Sequence, residues 1–161
     1  MSYALIMPCY FFTFHAYGTW LPDRSRGYVR RDKQGIHKQD IALGQTYKKQ
    51  MTQPVVRFDH DMQQLMIDAL QASTDKQSFR LHGVATDLTH IHVLISWSDN
   101  RTWEQLRYAL KRSLSYKLRQ HAHQHWFARA GSRKRVKDHE HFDHLIANYL
   151  RKHKGAQWLE S

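Results

Sequence analysis

With 25 Lys and Arg against 14 Asp and Glu in 161 residues, the chain has a formal net charge of +11, and so basic a surface attracts a polyanion, most simply nucleic acid. At 19.3 kDa it can bury a core without staples, and its single cysteine, Cys9, excludes an internal disulfide and fits a cytoplasmic, reducing compartment. It shows no basic leader, long apolar run or lipid-anchor motif, so neither a signal peptide nor a membrane partner is expected.

The first predicted element is a strand from Cys9 to His15, CYFFTFH, dense in β-formers. From Tyr17 to Pro54 the residues Gly18, Pro22, Gly27, Gly35, Gly44 and Pro54 break any period, predicting a long irregular excursion at about 17–54. Val56, Met62, Leu65, Met66, Ala69 and Leu70 recur at helical spacing, predicting an amphipathic helix from Val55 to about Ser73. Ser78 to Asp87 and Ile91 to Trp97 read as two strands, and the few residues between them require an antiparallel hairpin.

Asp99, Asn100 or Thr102 can cap the next helix, whose apolar stripe Leu106, Ala109, Leu110, Leu114 and Leu118 runs to about Gln120. After a His-rich turn, the basic run from Gly131 to Val136 predicts a short fourth strand, and a final helix follows from about Glu140 to Lys154. The order β-α-β-β-α-β is that of an α+β, ferredoxin-like domain, an antiparallel sheet with helices on one face, with an additional C-terminal helix. No repeat or composition shift divides the chain, so one domain over residues 1–161 is expected.

His90-Ile91-His92 runs into the apolar segment Val93-Leu94-Ile95. In a strand the two imidazoles project to one side while Ile91, Val93 and Ile95 pack behind, which makes half a metal site. A half-exposed strand with two polar residues on its wet face gives the same pattern. Tyr149 and His153 stand one turn apart on the predicted final helix; alone, they read as a rim residue and a cation at a helix C-terminus. The cations of the middle helix, Arg107, Lys111, Arg112, Lys117 and Arg119, form either a solvated face or a phosphate-tracking one.

In combination these residues resemble the single-tyrosine HUH transposases, above all the REP-associated tyrosine transposases, which carry His-hydrophobic-His on a central strand and a tyrosine on a late helix. The signature corresponds to His90-Ile91-His92 and Tyr149. Tyr17-Gly18-Thr19-Trp20-Leu21-Pro22, Leu110-Lys111, and Trp126 with Arg129, Gly131 and Ser132 resemble the same branch, so the resemblance spans nearly the whole chain. It implies that Tyr149 attacks a phosphodiester to form a 5′-phosphotyrosine, and that His90 and His92 hold a divalent ion, Mg²⁺ or Mn²⁺. His153 stands where relatives often carry Gln or Asn to complete the metal site, and an imidazole can also ligate there.

The implied substrate is single-stranded DNA beside a hairpin, with the enzyme a homodimer or a monomer. Arg107, Lys111, Arg112, Arg129, Arg133 and Arg135 are then candidates for contacts to the DNA backbone, and Trp20 and Trp126 for base stacking. Three other readings stay open. A non-enzymatic RRM-like module expects strand aromatics in an RNP1-like pattern, which neither hairpin strand supplies. A hydrolase using water draws metal ligands from His121, His123, His125, His139, His141 and His144, and a non-cleaving relative only binds DNA. Asp87 reads equally as a turn residue and as a partner for a ligating histidine.

Overall fold

The computed structural model describes residues 7–19, 28–29, 36–38 and 40–161, so Trp20 lies outside the described residues. The Phe-rich first run forms β1 (Cys9–Ala16), an inner strand of the sheet paired on both sides. Two short strands, β2 (Tyr28–Val29) and β3 (Ile36–His37), pair as a separate ribbon. The helix α1 (Ile41–Gln50) starts where Asp40 accepts from the Leu43 N–H at 2.8 Å. Next come α2 (His60–Ser73), capped by Asp59, the hairpin of β4 (Arg80–Thr86) and β5 (His90–Ser96), and α3 (Trp103–Leu118). Thr102 and Gln105 close a reciprocal capping box at the start of α3, which decides among its three predicted caps.

The chain continues through β6 (Phe127–Arg135), α4 (His139–His144), a π-helical turn over Leu145–Tyr149, a 3₁₀ turn over Leu150–Lys152, and β7 (Gln157–Leu159). The main sheet has the order β6-β1-β5-β4-β7, every pair antiparallel. Its first four strands are joined as the predicted β-α-β-β-α-β order requires, so the architecture is the expected α+β antiparallel sheet.

α2 and α3 cover one face, where Phe12, Phe14, Ile91, Val93 and Ile95 meet Met66, Ile67 and Leu70 of α2 and Leu106, Leu110, Leu114 and Leu118 of α3. The opposite face packs Phe11, Ala85 and Leu94 against Leu145 and Leu150. A Cβ at Gly83 would lie 2.8 Å from Leu150 Cδ1 and 3.0 Å from Leu159 Cδ2. Glycine there lets the segment that carries Tyr149 sit close on β4.

Four expectations need correction. The helix predicted from Val55 begins at His60, because the Asp59 cap fixes its start; Val56 and Phe58 still reach the core from an irregular segment. The excursion holds the helix α1, whose ten residues lack a strong apolar stripe. The fourth strand is nine residues long, since pairing with β1 holds a polar run extended, and β7 was too short to be signalled.

The final helix changes its winding at Leu145. The π turn, in which the Leu150 N–H donates to the Leu145 carbonyl, adds a residue to that turn and brings Leu145 and Leu150, five apart, onto the buried side. His153 lies just past the helix, with φ −75° and ψ 140°, rather than one regular turn above Tyr149.

Candidate metal centre

β5 begins at His90, and its pleat sends His90, His92, Leu94 and Ser96 to the face away from α2 and α3. The turn before it is an Asp-built one: the Asp87 carboxylate accepts from the backbone N–H groups of Thr89 at 2.8 Å and His90 at 3.2 Å. The same carboxylate oxygen lies 3.0 Å from His90 Nδ1. Asp87 is thus a turn residue that also contacts the His90 ring, whose Nδ1 lies 3.0 Å from the Thr89 hydroxyl as well.

His92 is sunk deeper. Its ring stacks on Phe11, centroids 5.0 Å apart, and its Nδ1 lies 2.7 Å from the Thr13 hydroxyl on the neighbouring strand. His153 arrives from the other side of the site, where the 3₁₀ turn ends: its Nδ1 donates to the Leu150 carbonyl at 3.2 Å, and its own carbonyl accepts from the Gln157 amide.

The three rings converge. Centroids are 4.6 Å apart for His90 and His92, 4.4 Å for His92 and His153, and 5.5 Å for His90 and His153. One ring nitrogen from each lies within 4.8 Å of the other two, a spacing that can hold a metal ion. Each Nδ1 has a protein partner, an acid, a hydroxyl or a backbone carbonyl, which is how ligating imidazoles are commonly oriented with Nε2 presented to the ion. The donor set therefore fits a divalent transition ion, for which imidazole nitrogen is a suitable ligand.

Burial drives the His92 pKa down to about 2, with lesser contributions from His90, His153 and His15. The ring is neutral at any working pH, the state that ligates. His15 was missed in the sequence. It pairs across the sheet with His90, is 6% exposed, and its ring centroid lies 6.0 Å from that of His90. The β1 alternation, Phe11, Thr13 and His15 against Phe12, Phe14 and Ala16, was the signal that could have found it.

Tyr149 completes the cluster from the π turn. Its ring centroid is 5.5 Å from each of Phe11, His92 and His153, and at 38% exposure it is open to solvent. Among the described residues no other group of histidines, cysteines or carboxylates has metal-ligand spacing, so His121, His123, His125, His139, His141 and His144 do not form a second centre.

Compared with solved structures, the chain is similar to a REP-associated tyrosine transposase bound to a REP hairpin, with a TM-score of 0.51 and 11% identity over 92% of this chain and 67% of that one. The likeness is one of fold. No protein-family model matches the chain, and no curated protein matches it in sequence. Among the described residues no helix is long and apolar enough to cross a membrane.

The residues expected to contact DNA are not gathered around the histidines. Arg133 and Arg135 pair across the sheet with Phe12 and Tyr10, so they project to the α2/α3 side. The Arg133 guanidinium lies 3.9 Å from the Trp103 ring centroid and that of Arg107 5.6 Å from it. Lys111 Nζ donates to the Ala128 carbonyl at 2.7 Å, while Arg112 and Arg129 are exposed. Trp126 is a correction: it is 2% exposed, its indole N–H donates to the Ala122 carbonyl at 3.2 Å, and its ring belongs to the core, closed to a base.

Proposed function

We propose that this chain cleaves and rejoins single-stranded DNA beside a hairpin or palindrome, through a covalent bond between Tyr149 and a 5′-phosphate. The observation that carries the reading is the meeting of an exposed tyrosine with three converging histidines, rings 5.5 Å from both His92 and His153. The likeness in fold to a transposase bound to a DNA hairpin and the net charge of +11 support the same partner.

In the first step the Tyr149 oxygen attacks the scissile phosphorus, its proton passing to solvent. The new bond joins phosphorus to the tyrosine oxygen, the bond from phosphorus to the 3′-oxygen breaks, and that oxygen leaves as a hydroxyl after taking up a proton. Rejoining is the reverse attack by a 3′-hydroxyl, so no nucleotide is hydrolysed. Phe11, stacked on His92 and edge-on to Tyr149, holds both rings in place and keeps water from one side of the pair.

His90, His92 and His153 would hold a divalent ion, which supplies Lewis-acid polarisation of the phosphate and neutralises developing charge. The resemblance implies Mg²⁺ or Mn²⁺, and of these two the transition ion Mn²⁺ accepts imidazole nitrogen more readily than Mg²⁺, which demands oxygen ligands. Within a cytoplasmic protein the reaction needs no further cofactor.

The test is incubation with a single-stranded hairpin oligonucleotide and Mn²⁺, followed by a denaturing gel and peptide mass spectrometry. An adduct on Tyr149, lost in Tyr149→Phe and in His92→Ala, is expected. An adduct that survives Tyr149→Phe, or sits on another residue, would overturn the reading.

A further inference from the structure

α3 presents a ridge that its packing does not require. Leu106, Leu110, Leu114 and Leu118, every fourth residue, are fully buried. Halfway round the helix, also every fourth residue, come Tyr108, Arg112 and Tyr116, and Arg119 follows at the cap. Tyr108 is 68% exposed and Tyr116 73%, and Arg112 and Arg119 are exposed as well. Among the described residues no ion pair takes up either arginine, and the only acid in α3, Glu104, is in its first turn.

Two phenol rings standing out about 12 Å apart along the axis, with a guanidinium between them, offer π-faces to bases and a cation to the phosphate that joins them. A single exposed tyrosine needs no explanation, but two on one ridge alternating with two arginines make a patterned surface. Arg133 and Arg135 of β6 lie on the same side of the sheet and add to its positive charge, with the Arg133 guanidinium over Trp103 at the start of α3. This side faces away from His90, His92 and Tyr149, so nucleotides held there are not those beside the histidines.

We infer that the Tyr108-Arg112-Tyr116 ridge is a second binding track, for single-stranded DNA, independent of the metal centre. Its occupant follows from charge complementarity: a two-fold pairing of this ridge with a second copy centred on Arg112 would set that guanidinium against its own counterpart in a protein of net charge +11, whereas a polyanion matches both Arg112 and Arg119. The contact is sequence-tolerant, since every base has a face to stack and the guanidinium meets only backbone. It does not depend on Tyr149 being a nucleophile.

The probe is fluorescently labelled oligo(dT), which forms no hairpin, titrated in EDTA so that metal binding plays no part, with anisotropy read over a series of salt concentrations. Tyr108→Ala with Tyr116→Ala should weaken binding by about tenfold or more through the loss of two stacking rings. The Phe pair, which keeps the rings, should bind like the parent, and Arg112→Ala should lower the slope of log affinity against log salt by about one. Circular dichroism checks the fold of each variant.

Unchanged affinity in the Ala pair overturns the proposal, as does an equal loss in the Phe pair. So does sedimentation showing a dimer of the parent chain that the Ala pair dissolves, which would make the ridge an interface between copies. Because the assay uses neither metal nor cleavage, its failure leaves the adduct test on Tyr149 standing, and the converse holds.

Discussion

Phe12, Ile91, Val93 and Ile95 face α2 and α3 and are wholly buried; the same two strands send Thr13, His15, His92 and Ser96 to the other face, buried almost as deeply yet polar. Burial on the first face is stabilised by apolar transfer and dense packing. On the second, polar groups must be partnered within the protein: Thr13 with His92, Ser96 with His82, His82 with Glu160. One face should fail by cavities and the other by lost partners.

The largest effect belongs to the apolar face. Leu110 has no exposed surface and packs in the core between α3 and the sheet. Leu110→Ala should cost about 2–5 kcal/mol in urea unfolding through lost burial and the cavity left behind. The folded fraction should keep the metal affinity of the parent, measured by calorimetry at low denaturant, because no ligand contacts this layer. A large loss of metal affinity in the folded fraction would show that the faces are not independent.

Protonation probes the polar face. In the metal-free chain the folded His92 pKa is held at about 2 against an ordinary value of 6.5. Between those values the unfolded chain takes up a proton that the folded chain refuses. Stability from this residue is therefore complete above pH 6.5 and falls as pH drops toward 2, by at most about 1.4 kcal/mol per pH unit. Urea midpoints in EDTA at pH 7.5, 6 and 5 should fall more steeply for the parent than for His92→Gln. Parallel curves would remove His92 as the cause.

The apolar face was also the more legible one in the sequence. Its stripes in α2 and α3 and the alternation in β5 follow from period alone, and the sheet order follows from connectivity. Of the polar face, His90-Ile91-His92 was legible because a strand puts alternate residues on one side. Tyr149 and His153 were expected on a regular helix, but the π turn and the extended backbone at His153 depend on Leu145 and Leu150 both reaching the sheet. His15 and Thr13 became site residues only through the register of β1 on β5, which places Thr13 opposite His92 and His15 opposite His90. Trp126 failed as a stacking residue because an aromatic in a single sequence does not reveal which way it faces.

Thr13→Val sharpens the contrast with a change of nearly constant shape. It keeps a β-branched residue in β1 but leaves the buried Nδ1 of His92 without its hydroxyl. A loss of about 1–3 kcal/mol is expected from the unpaired group. Metal affinity should fall by about 10–100-fold, because the ring is no longer held in one orientation. Calorimetric titration with Mn²⁺ reads the second effect separately from the first. Unchanged affinity would mean that Phe11 stacking alone orients the ring.

The smallest effect concerns Ser96, His82 and Glu160. Ser96 Oγ lies 2.7 Å from His82 Nε2, and His82 Nδ1 lies 2.5 Å from Glu160 Oε1, the order of a serine nucleophile, its base and an orienting carboxylate. Burial argues for a structural role: Ser96 is 4% exposed, His82 7%, and Phe142 sits edge-on to the imidazole with centroids 4.9 Å apart. Glu160→Ala should cost about 1 kcal/mol, since water can reach part of the vacated position, and Glu160→Gln less, because an amide oxygen still accepts from the ring. The Arg80 contact to Glu160 adds little, its side chain being 68% exposed. A fluorophosphonate probe should leave Ser96 unlabelled in the native chain; a mass shift on Ser96 that Glu160→Ala abolishes would turn this part of the polar face from a support of the fold into a second reactive centre.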